Sequence, residues 1–254
     1  MRTSVVGAGA WGTALALVLN ERGHDVRLWS FESGVADSIR RERSNPYLPG
    51  IDLPKALHAT SDLAEAVEGS QLVVSVSPSQ VVRSVMSEAA QYLDSSAIVV
   101  SASKGIEKGT LNRMDQVLSE ELGGDIEDRF CVLSGPSFAD EVAVRAPTAV
   151  VVASQDQRVA DLVQGAFQTP WFRPYTNNDI VGVELAGAMK NVMALAAGMA
   201  AGLGHTHNTT AALITRGLAE MTRLGVALGA RPDTFYGLAG MGDLLLTCTG
   251  DLSR

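Results

Sequence analysis

Short, continuous apolar segments alternate with longer amphipathic segments through the first 176 residues of the chain. The apolar segments are rich in β-branched residues and show no strict polar/apolar alternation, which is typical of parallel strands covered on both faces. The predicted strands are 2–6, 26–29, 72–76, 98–101, 130–133 and 149–153. The predicted helices between them are 11–22, 63–68, 80–92, 110–122 and 157–168. This order predicts an α/β fold with a doubly wound parallel sheet.

The pattern changes beyond a polar link at residues 175–179. Residues 180–203 and 210–228 each predict a long helix, and the second carries apolar side chains at helical spacing along one face. A shorter helix is predicted to start around Pro232, because proline suits a first helical turn. We expect no strand after residue 180. The chain is therefore predicted to divide into a sheet domain at 1–177 and a helical domain at 178–254.

A glycine-rich turn separates the first predicted strand from the first predicted helix. Gly7, Gly9 and Gly12 form the pattern G-x-G-x-x-G in the strand–turn–helix setting that a dinucleotide requires. The first glycine permits a tight turn, the second leaves room for a pyrophosphate, and the third lets the helix pack closely on the strand. The helix N-terminus then offers N–H donors and a partial positive charge to the phosphates. This motif predicts a Rossmann-type domain that binds a dinucleotide cofactor.

The residues that follow the second predicted strand bear on the choice between NAD and NADP. Glu32 lies twenty residues after Gly12, where a carboxylate bonds the adenosine ribose and repels a 2′-phosphate. A cation at this place favours NADP, and three arginines follow somewhat later in the chain, Arg40, Arg41 and Arg43. The carboxylate favours NAD, and use of both cofactors stays open.

A lysine lies within the first long helix of the predicted helical domain. Small residues such as Gly187 and Ala194 share the helix face of Lys190, which leaves room for a small ligand beside the ammonium. An ammonium in such apolar surroundings needs a partner, and Asp243, which follows a glycine, is the predicted counter-charge. Spacing alone leaves two interpretations open, a catalytic Lys190 or a lysine whose head reaches solvent. An aspartate such as Asp243 is also often a helix N-cap.

Two further loops follow predicted strands of the sheet. The first carries Lys104 within the sequence SKG at 103–105, and the second carries Gly135 and Ser137 within SGPSF at 134–138. In an open parallel sheet, ligands bind beyond the carboxyl ends of the strands. Backbone N–H groups and hydroxyls in such loops can hold a phosphate or a sugar-like hydroxyl. Because the glycine turn lies at the same edge, we expect these loops to form one site with it.

Composition narrows the classes of protein that fit. Hydrophobic residues make up 46% and charged residues 19% of the chain, as in an ordinary globular protein with a sizeable core. A net charge of −8 argues against nucleic-acid binding but leaves room for an anionic substrate in a locally cationic cleft. Cys131 and Cys248 form no motif and are expected to be free thiols. His205 and His207 supply too few ligands for a metal, so no metal site is predicted.

The apolar stretch at 192–203 is shorter than the ~20 residues that a membrane-spanning helix needs. The first apolar run of the chain is interrupted by the three glycines of the turn, unlike the core of a signal peptide. We therefore expect no membrane span and a soluble, cytoplasmic protein.

Several motifs occur in a characteristic order along the chain. They are GAGAWGTALA at 7–16, YLP at 47–49, SKG at 103–105, SGPSFA at 134–139, KNV at 190–192, TRGLAEM at 215–221, GMGDL at 240–244 and TCT at 247–249. Together they resemble the bacterial NAD(P)-dependent glycerol-3-phosphate dehydrogenase family over the whole chain. The resemblance implies interconversion of dihydroxyacetone phosphate and sn-glycerol 3-phosphate with NAD(P)H, which by analogy supplies phospholipid synthesis. The implied partner is a phosphorylated triose, with a homodimer left open.

The resemblance also implies roles at individual positions. Lys190 corresponds to the family's catalytic proton donor and acceptor, and Lys104 to a residue that contacts both substrate and cofactor. Substrate-binding positions of the family are matched by Gly135, Ser137, Asp243, Ser253 and Arg254.

Cofactor contacts of the family are matched by Ala10, Trp11, Ala139 and Arg254. Phe31 stands where the family often has His or Arg near the adenosine ribose. This departure weighs against a preference for NADP.

The implied chemistry follows from hydride transfer to a ketone, which builds negative charge on the ketone oxygen. Lys190 as an ammonium would stabilise that charge and deliver the proton. We expect Asp243 to keep Lys190 protonated at neutral pH. Oxidation of glycerol 3-phosphate needs the neutral amine and is expected to favour alkaline pH.

Family members usually continue past the pair Ser253-Arg254 with a phosphate-binding asparagine and further helices, whereas this sequence stops there. We therefore expect the helical domain to lack part of its core and to expose apolar surface. Two alternatives stay open. One is another dehydrogenase of the same architecture, such as a β-hydroxyacid dehydrogenase. The other is a non-catalytic dinucleotide-binding module.

Overall fold

An eight-stranded sheet forms the centre of the protein in the computed structural model, which describes residues 1–250. The strands lie in the order β3-β2-β1-β4-β5-β6-β7-β8 across the sheet. Their bounds are β1 Arg2–Val6, β2 Asp25–Trp29, β3 His58–Thr60, β4 Leu72–Ser75, β5 Ile98–Ser101, β6 Phe130–Ser134, β7 Thr148–Ala153 and β8 Phe172–Asn177. The first six strands pair in parallel, which confirms the predicted α/β class.

Three features of the sheet differ from the prediction. Strand β7 runs antiparallel to β6, with Ser134 opposite Val151, so the sheet is mostly rather than wholly parallel. The prediction missed β3 because its three residues, His58–Thr60, are too short to form a pattern. It missed β8, Phe172–Asn177, because this edge strand contains a proline, which argues against a strand in a sequence pattern.

Eleven α-helices are present among residues 1–250. Their bounds are α1 Ala10–Glu21, α2 Ser33–Glu42, α3 Leu63–Val67, α4 Val82–Ala89, α5 Met114–Leu122, α6 Ala139–Ala143, α7 Gln157–Phe167, α8 Ile180–Gly202, α9 His207–Ala227, α10 Pro232–Tyr236 and α11 Asp243–Thr249. A 3₁₀ turn spans Gly124–Arg129 and a π-helical turn spans Leu238–Gly242. The prediction missed α2, which is mostly polar and buries three side chains, and α6, which has only five residues.

The helices cover both faces of the sheet, as a doubly wound fold requires. One face packs against α1, α2, α6 and α7, and the other against α3, α4 and α5. Ile180 and Val183 at the start of α8 belong to the second of these cores. The helical part of the chain therefore continues directly from the core of the sheet part.

The helical part begins where the sheet ends. Strand β8 ends at Asn177, α8 begins at Ile180, and residues 180–250 contain no strand. A third core joins α8, α9, α10 and α11, centred on buried Leu218, Met221 and Phe235. The division at 177/178 remains a prediction about how the chain separates into domains.

Helix α8 is long and apolar enough, by length and composition alone, to cross a membrane. Its most apolar stretch has a mean hydropathy of 1.4 and is 44% buried. In the structure it packs against β6, α9 and α11. Apolar side chains nevertheless lie exposed along its second half, namely Val192, Leu195, Met199 and, just beyond it, Leu203.

Candidate active site

The glycine turn has the geometry that close approach of a ligand requires. Gly7 adopts a φ of +132°, a conformation that other residues rarely adopt. A Cβ on Gly12 would lie 1.8 Å from the carbonyl oxygen of Gly7, so only glycine fits there. A Cβ on Gly9 would meet no atom within 4 Å. The open space beside Gly9, at the N-terminus of α1, is where the motif places a pyrophosphate.

A buried asparagine holds this turn in place. Asn45 donates from Nδ2 to the carbonyl oxygen of Ala8 at 2.9 Å and to Oγ1 of Thr13 at 2.7 Å. Its contribution was missed by the sequence prediction, because an isolated asparagine in a loop carries no spacing signal. Its neighbours in the YLP motif were the nearest available indication.

The remaining predicted cofactor contacts lie at the start of two adjacent helices. Ala10 is the first residue of α1 and Ala139 the first of α6, and these two helices pack against each other. Trp11 packs partly buried against the first core, and its indole Nε1 is buried with no hydrogen-bond partner in the protein. A buried donor without an acceptor at the edge of a ligand site is available to an incoming group.

The residues predicted near the adenosine ribose lie at the carboxyl end of β2. Phe31 is 85% exposed, with its ring edge-on to Trp29 at a centroid distance of 6.4 Å. Glu32 precedes α2 and accepts a hydrogen bond at Oε2 from the Tyr47 hydroxyl at 2.6 Å. This bond to a carboxylate raises the pKa of Tyr47. Arg40 is paired with Asp37 on its own helix.

Two lysines from different parts of the chain meet on one buried aspartate. Lys190 Nζ donates to Asp243 Oδ1 at 2.5 Å, and Lys104 Nζ donates to Asp243 Oδ2 at 2.6 Å. The Asp243 side chain is 1% exposed, against 12% for Lys190 and 19% for Lys104. The head of Lys190 therefore does not reach freely into solvent, which was the alternative interpretation.

Helix α11 orients the aspartate and contributes one more hydrogen-bond acceptor for Lys190. Asp243 is the first residue of α11, with Gly242 at the N-cap position, so the aspartate is not the cap itself. Thr247, one turn later, donates from Oγ1 to the Asp243 carbonyl oxygen at 2.6 Å and accepts from Lys190 Nζ at 3.0 Å. The sequence prediction missed Thr247, although its spacing of four from Asp243 places both on one helix face.

The loop after β6 completes the cluster. Lys104 Nζ also donates to the Gly135 carbonyl oxygen at 3.2 Å, and Ser137 Oγ donates to the same oxygen at 3.2 Å. Gly135 has a φ of +142°, and a Cβ on it would lie 3.0 Å from Cα of Val150. The structure therefore brings the loops that carry Lys104 and Gly135 to one edge of the sheet.

The pKa of Lys190 depends on its burial and on both of its charged neighbours. Burial, followed by repulsion from Lys104, lowers the pKa of Lys190 to about 8, although Asp243 acts to raise it. The prediction that Asp243 holds Lys190 protonated at neutral pH took no account of desolvation or of the second lysine, which together outweigh the carboxylate in the pKa shift. With a pKa near 8, Lys190 is mostly an ammonium at neutral pH and can still exchange its proton.

The cluster as a whole carries excess positive charge. Two ammonium groups share a single carboxylate within a largely buried site, so an anionic ligand is attracted there. Ser253 and Arg254, the other predicted substrate contacts, lie outside the described residues. Within residues 1–250 no group of three or more metal-ligating side chains is present, and His205 and His207 are exposed.

The site combines a dinucleotide-type glycine turn with a buried lysine–aspartate–lysine cluster. Part of that cluster is carried by the helical domain. These are the parts of a nicotinamide-dependent dehydrogenase, in which the protein aligns the cofactor and supplies the charge and the proton.

Comparison with known proteins narrows the class to one family. The family model for the N-terminus of NAD-dependent glycerol-3-phosphate dehydrogenase matches residues 2–160, and the model for its C-terminus matches residues 179–254. A glycerol-3-phosphate dehydrogenase [NAD(P)+] of Geobacter sulfurreducens is 57% identical over 254 residues, covering 100% of this chain and 76% of the relative. The chain belongs to the NAD-dependent glycerol-3-phosphate dehydrogenase family.

Solved structures agree with this assignment. The crystal structure of glycerol-3-phosphate dehydrogenase from Coxiella burnetii matches with a TM-score of 0.94 at 41% identity, covering 100% of this chain and 77% of that one. The enzyme from Saccharomyces cerevisiae matches with a TM-score of 0.83 at 31% identity, covering 98% and 78%. The chain thus spans about three quarters of the length of these relatives.

Proposed function

We propose that the chain interconverts dihydroxyacetone phosphate and sn-glycerol 3-phosphate with NAD(P)H. The observation that carries this proposal is the buried Lys190–Asp243–Lys104 cluster, whose residues match the catalytic and substrate-binding positions implied by the family resemblance. The open space at Gly9 and the unpartnered indole of Trp11 fit a dinucleotide at the neighbouring turn. When bound, the nicotinamide ring supplies or accepts the hydride.

The side chains of the cluster have distinct tasks in this reaction. Lys190 donates a proton to the developing alkoxide in reduction and accepts it from the hydroxyl in oxidation. Lys104, held by Asp243 and by the Gly135 carbonyl, stabilises the same oxygen or the phosphate through its charge. Asp243 offsets the repulsion between the two ammonium groups and orients each of them on a separate oxygen. Thr247 restricts the rotation of Lys190 by accepting a hydrogen bond from its Nζ.

The substrate phosphate is assigned to the loop after β6 and to the end of the chain. Gly135 and Ser137 offer a backbone conformation and a hydroxyl suited to an anion, and Ser253 and Arg254 are assigned to the same phosphate through the family pattern. Arg254 is also assigned to the cofactor. The net positive charge of the lysine cluster assists the binding of this phosphate.

The preference between NAD and NADP is assigned to the residues that follow β2. Glu32, held by Tyr47, presents a carboxylate that bonds ribose hydroxyls and repels a 2′-phosphate, which favours NAD. The exposed ring of Phe31 is available for stacking on the adenine side of the cofactor. The remaining assignments are Gly7, Gly12, Ala10 and Ala139 for the pyrophosphate and its surroundings.

The proposed reaction also implies a cellular location and a cellular role. We place the protein in the cytoplasm, with residues 1–177 as the dinucleotide domain and 178–254 as the substrate domain. Its product, glycerol 3-phosphate, would supply glycerophospholipid synthesis. Helix α8 belongs to the packed substrate domain in this proposal rather than to a membrane.

A substrate comparison tests the proposal directly. Oxidation of NADH and of NADPH is followed by absorbance after addition of dihydroxyacetone phosphate, and separately of dihydroxyacetone without its phosphate. Turnover with the phosphate ester alone supports the proposal, and the faster cofactor decides the ribose assignment. Turnover of a β-hydroxyacid with NAD in its place would assign the chain to the alternative dehydrogenase class. Cofactor binding without any turnover would assign it to the non-catalytic alternative.

A further inference from the structure

A buried carboxylate on α8 connects the helical part of the chain to the sheet part. The Glu184 side chain is 4% exposed, and its Oε1 accepts a hydrogen bond from the backbone N–H of Asp115 at 3.0 Å. Its Oε2 accepts from the same N–H at 3.3 Å. Asp115 lies in the first turn of α5, on the sheet part. A carboxylate from one part of the protein therefore caps a helix of the other.

This cap satisfies a donor that α5 cannot satisfy within itself, because the first N–H groups of a helix have no partner in the helix. The side chain of Gln116 accepts the N–H of Arg113 at 3.0 Å, and Glu184 accepts the N–H of Asp115, two residues later. Without Glu184 this buried N–H would lose its acceptor, which is a costly loss.

The segment that Glu184 holds is continuous with the loop that carries Lys104. Ile106 and Arg113 form an antiparallel bridge, and Glu107 N–H donates to the Asn112 carbonyl oxygen at 2.9 Å. These two contacts join the ends of residues 106–113, which therefore form a closed loop. Lys104 precedes this closed loop by two residues. Ile106 in turn packs against the core that contains Leu185 of α8. Two neighbouring contacts therefore hold α8 to this segment, the hydrogen bond from the Asp115 N–H to Glu184 and the packing of Ile106 in the core of Leu185.

Arg113 balances the charge around this contact. It pairs with Asp115 at 2.8 Å through Nη2, and its Nε lies 3.6 Å from Glu184 Oε2. Burial, and then the neighbouring Asp115, raise the pKa of Glu184 well above its usual range. A protonated carboxyl and an amide have the same shape, and both can accept the Asp115 N–H through their carbonyl oxygen.

We propose that Glu184 is a positioning residue that fixes α8 to the Lys104 loop and so sets the placement of Lys190 and Lys104 across Asp243. Glu184 and Lys190 lie on the same helix, six residues apart, and each lysine donates to a different oxygen of Asp243. A shift of α8 relative to the loop would separate the lysines or leave Asp243 with only one of them. The proposal rests on the proposed function only in giving these lysines a catalytic task.

Lysine reactivity tests the placement without depending on turnover. Lys190 is acetylated with acetic anhydride over a series of pH values, and modification is measured by peptide mass spectrometry. In the wild-type protein the midpoint is expected at about 8, because Lys190 is buried beside Lys104. In Glu184→Ala and Glu184→Asp the midpoint is expected to rise toward the ordinary value of 10.5, since Lys190 moves away from Lys104 and toward water. Glu184→Gln is expected to keep the wild-type midpoint.

Steady-state kinetics provide the second readout. Glu184→Ala and Glu184→Asp are expected to lower kcat for dihydroxyacetone phosphate by about 100-fold, the effect of an ångström-scale misplacement, with KM for NADH almost unchanged. Glu184→Gln should restore most of kcat. Glu220→Ala serves as the matched control, because Glu220 is an exposed carboxylate on α9 whose partners are surface arginines.

Glu184→Asp keeps the carboxyl group and leaves a smaller cavity than Glu184→Ala, so it decides the matter if the alanine variant does not fold. Wild-type midpoint and kcat in folded Glu184→Asp would overturn the proposal, while turnover of the wild-type protein would leave the proposed function standing. A wild-type protein without turnover, but with midpoints that move as expected, would support the positioning role and contradict the proposed function.

Discussion

The side-chain stem of Lys104 lies directly against Gly187 of α8. A Cβ on Gly187 would be 3.5 Å from Cγ and 3.6 Å from Cδ of Lys104, and 3.2 Å from Oγ of Ser134. A Cβ here would just touch the lysine stem and would press on Ser134, so the space beside position 187 has no room for a larger side chain. Since Gly187 is three residues before Lys190, the close approach brings the two lysines to the same carboxylate.

Gly187→Val is expected to displace Lys104 and to lower kcat/KM for dihydroxyacetone phosphate by about tenfold or more, because the branched side chain overlaps the lysine stem. Gly198→Ala is the matched control on the same helix, where a Cβ would meet no atom within 4 Å. The control should keep wild-type kinetics and gain about 0.5–1 kcal/mol in unfolding free energy, because alanine is the better helix former. Equal kinetics for Gly187→Val and wild type would show that the contact is unimportant.

The pH dependence of the two directions should be opposite. Reduction needs the Lys190 ammonium, which is lost as the pH rises through about 8, so kcat/KM for dihydroxyacetone phosphate should fall above that pH. Oxidation needs the neutral amine and should rise over the same interval. Rate profiles for both directions check this, and parallel profiles would argue against Lys190 as the exchanging group.

Asp243→Asn should move this transition to lower pH. The carboxylate acts to raise the pKa of Lys190, so removing its charge lets burial and Lys104 lower that pKa further. The fall of kcat/KM for dihydroxyacetone phosphate with rising pH is then expected to begin at a more acidic pH. We also expect a loss of kcat, because the two ammonium groups lose their common anion. A thermal melt controls for folding, because Asp243 is buried. A shift toward alkaline pH would contradict the sign derived from the structure.

The glycine turn allows a test that separates folding from cofactor binding. Gly9→Ala should fold normally, because Gly9 has an extended conformation with φ −69° that any residue adopts and its Cβ would meet open space, yet it should lose NADH binding. Gly12→Ala should lose about 1–3 kcal/mol of stability or more, because its Cβ would overlap the Gly7 carbonyl. Thermal melts and NADH fluorescence titrations distinguish the two losses. Tight NADH binding by Gly9→Ala would contradict the assignment of the pyrophosphate to this turn.

The sequence predicted the parts of the fold that carry a strong local pattern. Buried strands such as β1 and β4 are continuous apolar runs, and α8 and α9 have helical length and periodicity, so both kinds of element were placed within a few residues. Edge strand β8 and the short helix α6 were missed, because their form depends on packing against neighbours rather than on local pattern. The reversed direction of β7 leaves no mark in its own residues.

The candidate site was predictable in its residues but less so in its energetics. Lys190 and Asp243 were expected to pair from composition and context, and the structure places them 2.5 Å apart. That Lys104 reaches the same carboxylate was not predictable from local pattern, since this contact joins residues 139 positions apart. The direction of the Lys190 pKa shift depends on that third group and on burial, which are properties of the folded protein and not of any local sequence pattern.

The most direct test compares Lys190→Ala with Lys108→Ala in dihydroxyacetone phosphate-dependent oxidation of NADH. Lys108 is an exposed lysine in the loop that follows Lys104, and it serves as the matched control. If Lys190 exchanges the proton, its loss should lower kcat by about 100-fold or more while NADH still binds, and Lys108→Ala should retain wild-type turnover. Turnover by Lys190→Ala close to that of the control would contradict the assignment of Lys190 as the catalytic group.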